Sequence, residues 1–131
     1  MRQVQEEQEL VPKSFERLQV WRKAMDLTCR IYGIVEKLPR SEEFHLKSQL
    51  LRSTSSISAN LAEGNGQFFK KKEYTHYNVA LGSANESINW IILARRRGYI
   101  TEEEFETLET EYREIIRMII AMMRKLRQET A

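Results

Sequence analysis

The sequence predicts an all-α fold, an antiparallel up-down-up-down four-helix bundle. Apolar residues recur at intervals of three and four along most of the chain. Only five glycines and two prolines interrupt its 131 residues, too few for a turn-rich β fold. The breakers that do occur leave short connections, which bring successive helices together antiparallel. The length fits one domain with a single core.

Residues 1–14 are polar and aperiodic and read as a tail, without the apolar centre of a signal peptide. The bundle is expected over 15–128, with helices at 18–38, 41–64, 70–97 and 101–128. In the first, Leu18, Trp21, Ala24, Met25, Thr28, Ile31, Tyr32, Val35 and Leu38 are spaced as one face, and Pro39 ends it. Ser41 is the expected N-cap of the second, which carries Phe44, Leu50, Leu51, Thr54, Ile57, Ser58 and Leu61 before Gly64 and Gly66. The third starts near Lys70 and stops at Gly98, a residue suited to the left-handed position after a helix. The fourth opens with a capping box, Thr101 and Glu104, followed by a heptad of Phe105, Leu108, Tyr112, Ile115, Ile119, Met122 and Leu126. Beside that seam Ile116, Ile120 and Met123 form a second stripe. It is either a wide core face or a subunit contact, and the reading favours a homo-oligomer interface, since so small a bundle has no second core.

Three blocks, "FERLQVWRKAMDL" (15–27), "QLLRSTSSISANLAEGNG" (49–66) and "ALGSANES" (80–87), resemble the signatures of the 23S rRNA intervening-sequence proteins, in the same order and spacing. The resemblance covers about residues 15–126 and implies a bundle that assembles as a ring-like homopentamer. It also implies kinship with the accessory variability determinants of diversity-generating retroelements, which work beside a reverse transcriptase and bind nucleic acid through basic surfaces. The chain departs from the pattern where the family often has paired arginines after "QL" and Gly-Arg after "EG". Leu51-Arg52 and Gly66-Gln67 stand there, each with one positive charge fewer.

Read from their own chemistry, the small residues of the second and third helices let two helix axes approach closely. Asn60, Glu63 and Ser83, with Arg52 facing Glu86, are expected to form a structural polar network, because buried acids must be paired or hydrogen-bonded. A catalytic site is the lesser reading of the same residues. Two Glu-x-x-His segments, Glu42 with His45 and Glu73 with His76, match the half-motif of di-iron bundles. Antiparallel pairing sets them about 28 Å apart at 1.5 Å per residue, so one subunit cannot share a metal between them. They read as surface residues at helix starts. Cys29 has no histidine near it in sequence and reads as core or half-buried. As the one cysteine it excludes an internal disulfide and fits a reducing, cytoplasmic setting. The longest apolar stretch, residues 115–123, is short and contains Arg117, so no membrane span is expected. No enzyme, metal or cofactor is expected.

The net charge of +2 conceals an uneven distribution. One pole of such a bundle gathers Arg17, Arg22, Lys23, Lys70, Lys71, Lys72, Arg124, Lys125 and Arg127 against Glu16, Glu63, Glu73 and Glu129. The other has Lys37, Arg40, Arg95, Arg96 and Arg97 against seven glutamates. Arginines near a helix end and glutamates near a helix start suit the helix dipole, but three lysines at a helix start oppose it. Either they solvate a loop or they contact phosphate, with Phe68 and Phe69 placed to stack on bases. The expected partner is structured RNA or a ribonucleoprotein, with a reverse transcriptase in the retroelement branch. The alternative is a structural ring that binds only protein.

Overall fold

The computed structural model describes residues 14–130 and, among them, four α-helices with no strand. The expected tail lies, apart from Ser14, outside the described residues. The helices are α1 (Gln19–Val35), α2 (Leu46–Asn65), α3 (Lys70–Arg96) and α4 (Glu102–Thr130). Short 3₁₀ turns, Phe15–Arg17 and Arg40–Glu42, precede α1 and α2.

The buried face of α1 is Val20, Ala24, Leu27, Thr28, Ile31, Ile34 and Val35. Met25 and Tyr32, expected in the core, are exposed, and so is Cys29. At 3.6 residues per turn the stripe from 20 to 35 is already full, and 25, 29 and 32 share the opposite side. The largest difference is at the start of α2. Ser41 lies in the 3₁₀ turn rather than capping the helix, and His45, at φ −126°, ψ −92°, interrupts any helical path before Leu46. Phe44 is therefore outside the helical register and 95% exposed. On α4 the core runs Phe105, Leu108, Tyr112, Ile115, Ile119, Met123 and Leu126. A straight helix drifts about 20° per heptad, so the step after Ile119 lands on Met123 instead of Met122. The predicted helix ends are formed at Gly98, which has φ +74°, and at Thr101. There Thr101 N–H donates to Glu104 Oε1 (2.9 Å) and Glu104 N–H to Thr101 Oγ1 (3.0 Å).

The α2–α3 seam is the tightest and runs antiparallel: Arg52 meets Glu86, Ser56 meets Ser83 and Asn60 meets His76. Ala80, Ala84, Ser53, Ser58 and Ser87 line it as buried small residues, whereas Gly82 and Ala59 face outward. At its end Gly64 leaves no room for a side chain without a shift: a Cβ there would lie 2.7 Å from the Tyr77 ring. Between the halves of the bundle, Thr54 Oγ1 lies 2.6 Å from Tyr112 Oη and 3.3 Å from Ser87 Oγ, itself 2.8 Å from Ser53 Oγ. Ser87 then donates to the Ser83 carbonyl. Burial pushes the Tyr112 hydroxyl well above its usual pKa. Among the described residues no buried side-chain N or O lacks a partner. By contrast α1 rests mainly on α2 and touches α4 more lightly. Three ion pairs, Lys23–Glu114, Arg30–Glu111 and Lys37–Glu104, close that side, their basic partners seven residues apart, two on α1 and Lys37 just past its end.

Candidate nucleic-acid interface

The turn between α2 and α3 builds the basic pole. Gly66 N–H returns to the Ala62 carbonyl and Gln67 N–H to Gly64, ending α2, and the Phe69 carbonyl accepts from Lys72 and Glu73 to start α3. Phe68 and Phe69 protrude, 59% and 69% exposed. Beneath them Glu73 is buried and accepts a 2.7 Å hydrogen bond from the Tyr77 hydroxyl, so it is not the surface carboxylate the sequence suggests. Burial first, and the Glu73 bond second, drive that hydroxyl's pKa far above its ordinary value.

The four helix ends meet here. A depression of about 230 Å³ is lined by Leu18 before α1, Asn65 at the end of α2, Lys70 and Glu73 at the start of α3, and Lys125, Leu126 and Glu129 near the end of α4. A neighbouring one of about 380 Å³ is lined by Lys70, Lys71, Tyr74, Thr75, Leu126 and Arg127. Arg127 donates to Tyr74 Oη at 3.0 Å, and Lys70 pairs with Glu129 at 3.1 Å, both across α3 and α4. The Lys70 pair is exposed on both sides and stabilises little.

The nine cations are not equivalent. Lys70, Lys71, Lys125 and Arg127 converge on these depressions; Lys72 and Arg124 are exposed beside them on α3 and α4. Arg17 is exposed on the 3₁₀ turn, and Arg22 folds back on that turn, donating to the carbonyls of Glu16 (2.9 Å) and Arg17 (3.3 Å). Lys23 turns sideways to Glu114 and belongs to the α1–α4 seam. Among the described residues Lys71, Lys72, Arg124 and Lys125 make no ion pair.

The polar-network residues lie along the α2–α3 seam. Arg52 contacts Gln49 and Glu86, and Glu86 also accepts from Trp90 Nε1. Asn60 Nδ2 donates to Ser56, Ser83 donates to Ser56 Oγ, and His76 Nδ1 lies 3.3 Å from both Asn60 Oδ1 and Glu63 Oε2. Of the proposed interface residues, Ile116 and Ile120 are half-buried and Met123 is inside the bundle. Sequence reasoning missed the Ser53–Thr54–Ser87–Tyr112 cluster. Its signal was a tyrosine in the apolar heptad, since a buried hydroxyl needs a partner. Among the described residues no group of His, Cys, Asp or Glu is placed to hold a metal, and no helix is long and apolar enough to cross a membrane.

The model of the 23S rRNA-intervening sequence proteins matches residues 16–121, which take in α1 to α3, about two-thirds of α4 and most of the pole. The chain belongs to that family. A similar solved structure is a protein of unknown function from the S23 ribosomal protein family of Bacteroides thetaiotaomicron. It is 31% identical, with a TM-score of 0.75, over 79% of this chain and 97% of that one. Among curated proteins none matches. The family match ends at residue 121, so Arg124, Lys125 and Arg127 lie beyond it.

Proposed function

We propose that this intervening-sequence family protein is a non-catalytic, homo-oligomeric accessory protein of the cytoplasm that binds structured RNA or a ribonucleoprotein through its basic pole. One observation carries the reading: cations from α3 and α4 gather at one end, several of them without an ionic partner among the described residues. Unpaired, exposed cations keep their charge available for phosphate, and neutralising phosphates releases counterions. In this reading the up-down-up-down bundle forms a homopentameric ring through the Ile116 and Ile120 face of α4. The pole is then repeated around the ring, and weak contacts add through multivalency. A reverse transcriptase is the protein partner where the protein serves a retroelement.

The test is a titration with structured RNA at about 50 and about 200 mM salt, comparing wild type with Lys70→Glu/Lys71→Glu/Lys72→Glu. Wild type is expected to bind with a steep salt dependence. The variant should lose at least about tenfold in affinity and about two units of slope in log K against log salt. Absence of wild-type binding would overturn the reading. A protein-binding ring is then the second reading, favoured by Phe44 at 95% exposure on the opposite pole.

A further inference from the structure

We propose that the pole reads unpaired nucleotides, with Phe68 and Phe69 as stacking platforms and the surrounding cations as the phosphate track; this rests on the RNA-binding reading above. Two adjacent phenylalanines stand 59% and 69% exposed directly before Lys70, Lys71 and Lys72. A duplex would leave those rings idle. Its bases are stacked on one another and its rails offer phosphate and sugar, which lysine alone can meet. An unpaired strand offers both a backbone charge and a free π-face for each nucleotide. The fold supplies both at one place, because the α2–α3 turn that displays the rings also starts the helix that carries the lysines.

The adjoining depression adds room. Its volume of about 380 Å³ is at the lower end of small-ligand sites. Tyr74 and Leu126 provide apolar surface, and Lys70, Lys71 and Arg127 provide charge from two helices. Charge complementarity and exposed rings together identify the occupant as a flexible polyanion with flat apolar faces, a single-stranded RNA segment such as a loop.

The experiment uses the full chain, an unstructured oligouridine and a blunt RNA duplex with the same number of phosphates. Wild type is expected to bind oligouridine more tightly than duplex. Phe68→Ala/Phe69→Ala should weaken oligouridine binding by about tenfold or more, leave duplex binding within about twofold and leave the salt slope unchanged. Phe68→Tyr/Phe69→Tyr should restore most of the affinity, because a phenol still stacks. Both rings are exposed, so helicity and melting temperature should not change, which separates lost contact from lost fold. Equal binding of the two RNAs, or an alanine variant as tight as wild type, overturns the proposal while leaving RNA binding through the lysines intact. Failure of wild type to bind either RNA overturns the functional reading itself. Capture of the protein by anionic vesicles, dependent on the two phenylalanines and without oligouridine binding, would make the turn a membrane contact and end the proposal.

Discussion

At the end of the bundle where α1 and α3 finish, charges answer one another. Lys37 meets Glu104, Arg95 meets Glu102 at 3.3 Å and lies 3.8 Å above the Phe105 ring, Lys47 meets Glu43, and Glu42 accepts from Tyr99. At the end where α1 and α3 begin, Lys71, Lys72, Arg124 and Lys125 have no such partner among the described residues, and two phenylalanines stand in solvent beside them. The first end uses these charges to cap helices and tie loops, so they contribute to the fold, while Arg40 and Arg96 there stay exposed without an ion pair among the described residues. The second holds charge with few neighbours: Lys71 and Lys72 oppose the α3 dipole, whereas Arg124 and Lys125 lie towards the end of α4, where cations are favoured. The comparison teaches that a count of charges ranks the poles less clearly than the fraction already spent on neighbours.

The sharpest way to break that contrast is to reverse charge at both ends. Lys70→Glu/Lys71→Glu/Lys72→Glu should lower RNA affinity at least about tenfold with little change in melting temperature. Arg40→Glu/Arg96→Glu, both exposed on the other pole, should leave RNA affinity within about twofold. Equal losses from the two variants would mean that overall charge, not the pole, attracts the RNA.

A second contrast concerns two glycines. Gly64→Ala forces a methyl to 2.7 Å from the Tyr77 ring beside the basic turn and is expected to destabilise by about 1–3 kcal/mol in a denaturant titration. Gly82→Ala meets nothing within 4 Å on an exposed face of α3 and should stabilise by about 0.5–1 kcal/mol. If both behaved as Gly82 does, the close approach of α2 and α3 at the pole would be wrong.

Much of this architecture was legible in the sequence. Four periodic segments, the Thr101–Glu104 capping box and Gly98 read correctly because each is a local signal. One source of error is that a stripe of apolar letters does not state its phase. Met25 and Tyr32 lie on the outer side of α1, and Met123 replaces Met122 once the helix drifts from a strict heptad. The apolar spacing puts Phe44 in a helix that the chain enters only at Leu46. At the pole, the lysines are visible as a run, but the capture of Lys23 by Glu114 depends on a tertiary neighbour, and that of Arg22 on the 3₁₀ turn before α1, whose Glu16 and Arg17 carbonyls it bonds. The buried hydroxyl cluster was equally hidden, since Ser53, Ser87 and Tyr112 come from three helices.

That cluster separates the interior from both poles. Tyr112→Phe removes one hydroxyl from a fully paired set and should destabilise by about 1–2 kcal/mol, with RNA binding unchanged. Its pH dependence has a defined sign. The folded pKa is raised above the unfolded value of about 10, so the contribution is complete below that pH and is lost as pH rises beyond it. Wild type should therefore lose its advantage over Tyr112→Phe only in strong alkali.

The smallest effect tests the claim that the acidic pole spends its charge on folding. The Glu104 carboxyl is held below the usual glutamate range, chiefly by the hydrogen bond from Lys37 and next by the Thr101 backbone N–H. A depressed folded pKa gives stability that is present above the unfolded value of about 4.3 and lost as pH falls through the folded one. Glu104→Gln keeps an oxygen for the Thr101 N–H but removes the charge, so at neutral pH it should cost a few tenths of a kcal/mol, given the solvent around the pair. Below about pH 4 the difference from wild type should shrink, because Glu104 is then becoming neutral in both states. Lys71→Gln at the other pole should show no such pH-dependent gap in acid, since no carboxylate among the described residues forms an ion pair with it. A Glu104→Gln deficit that persists undiminished in acid would assign its cost to packing and remove the electrostatic half of the contrast between the poles.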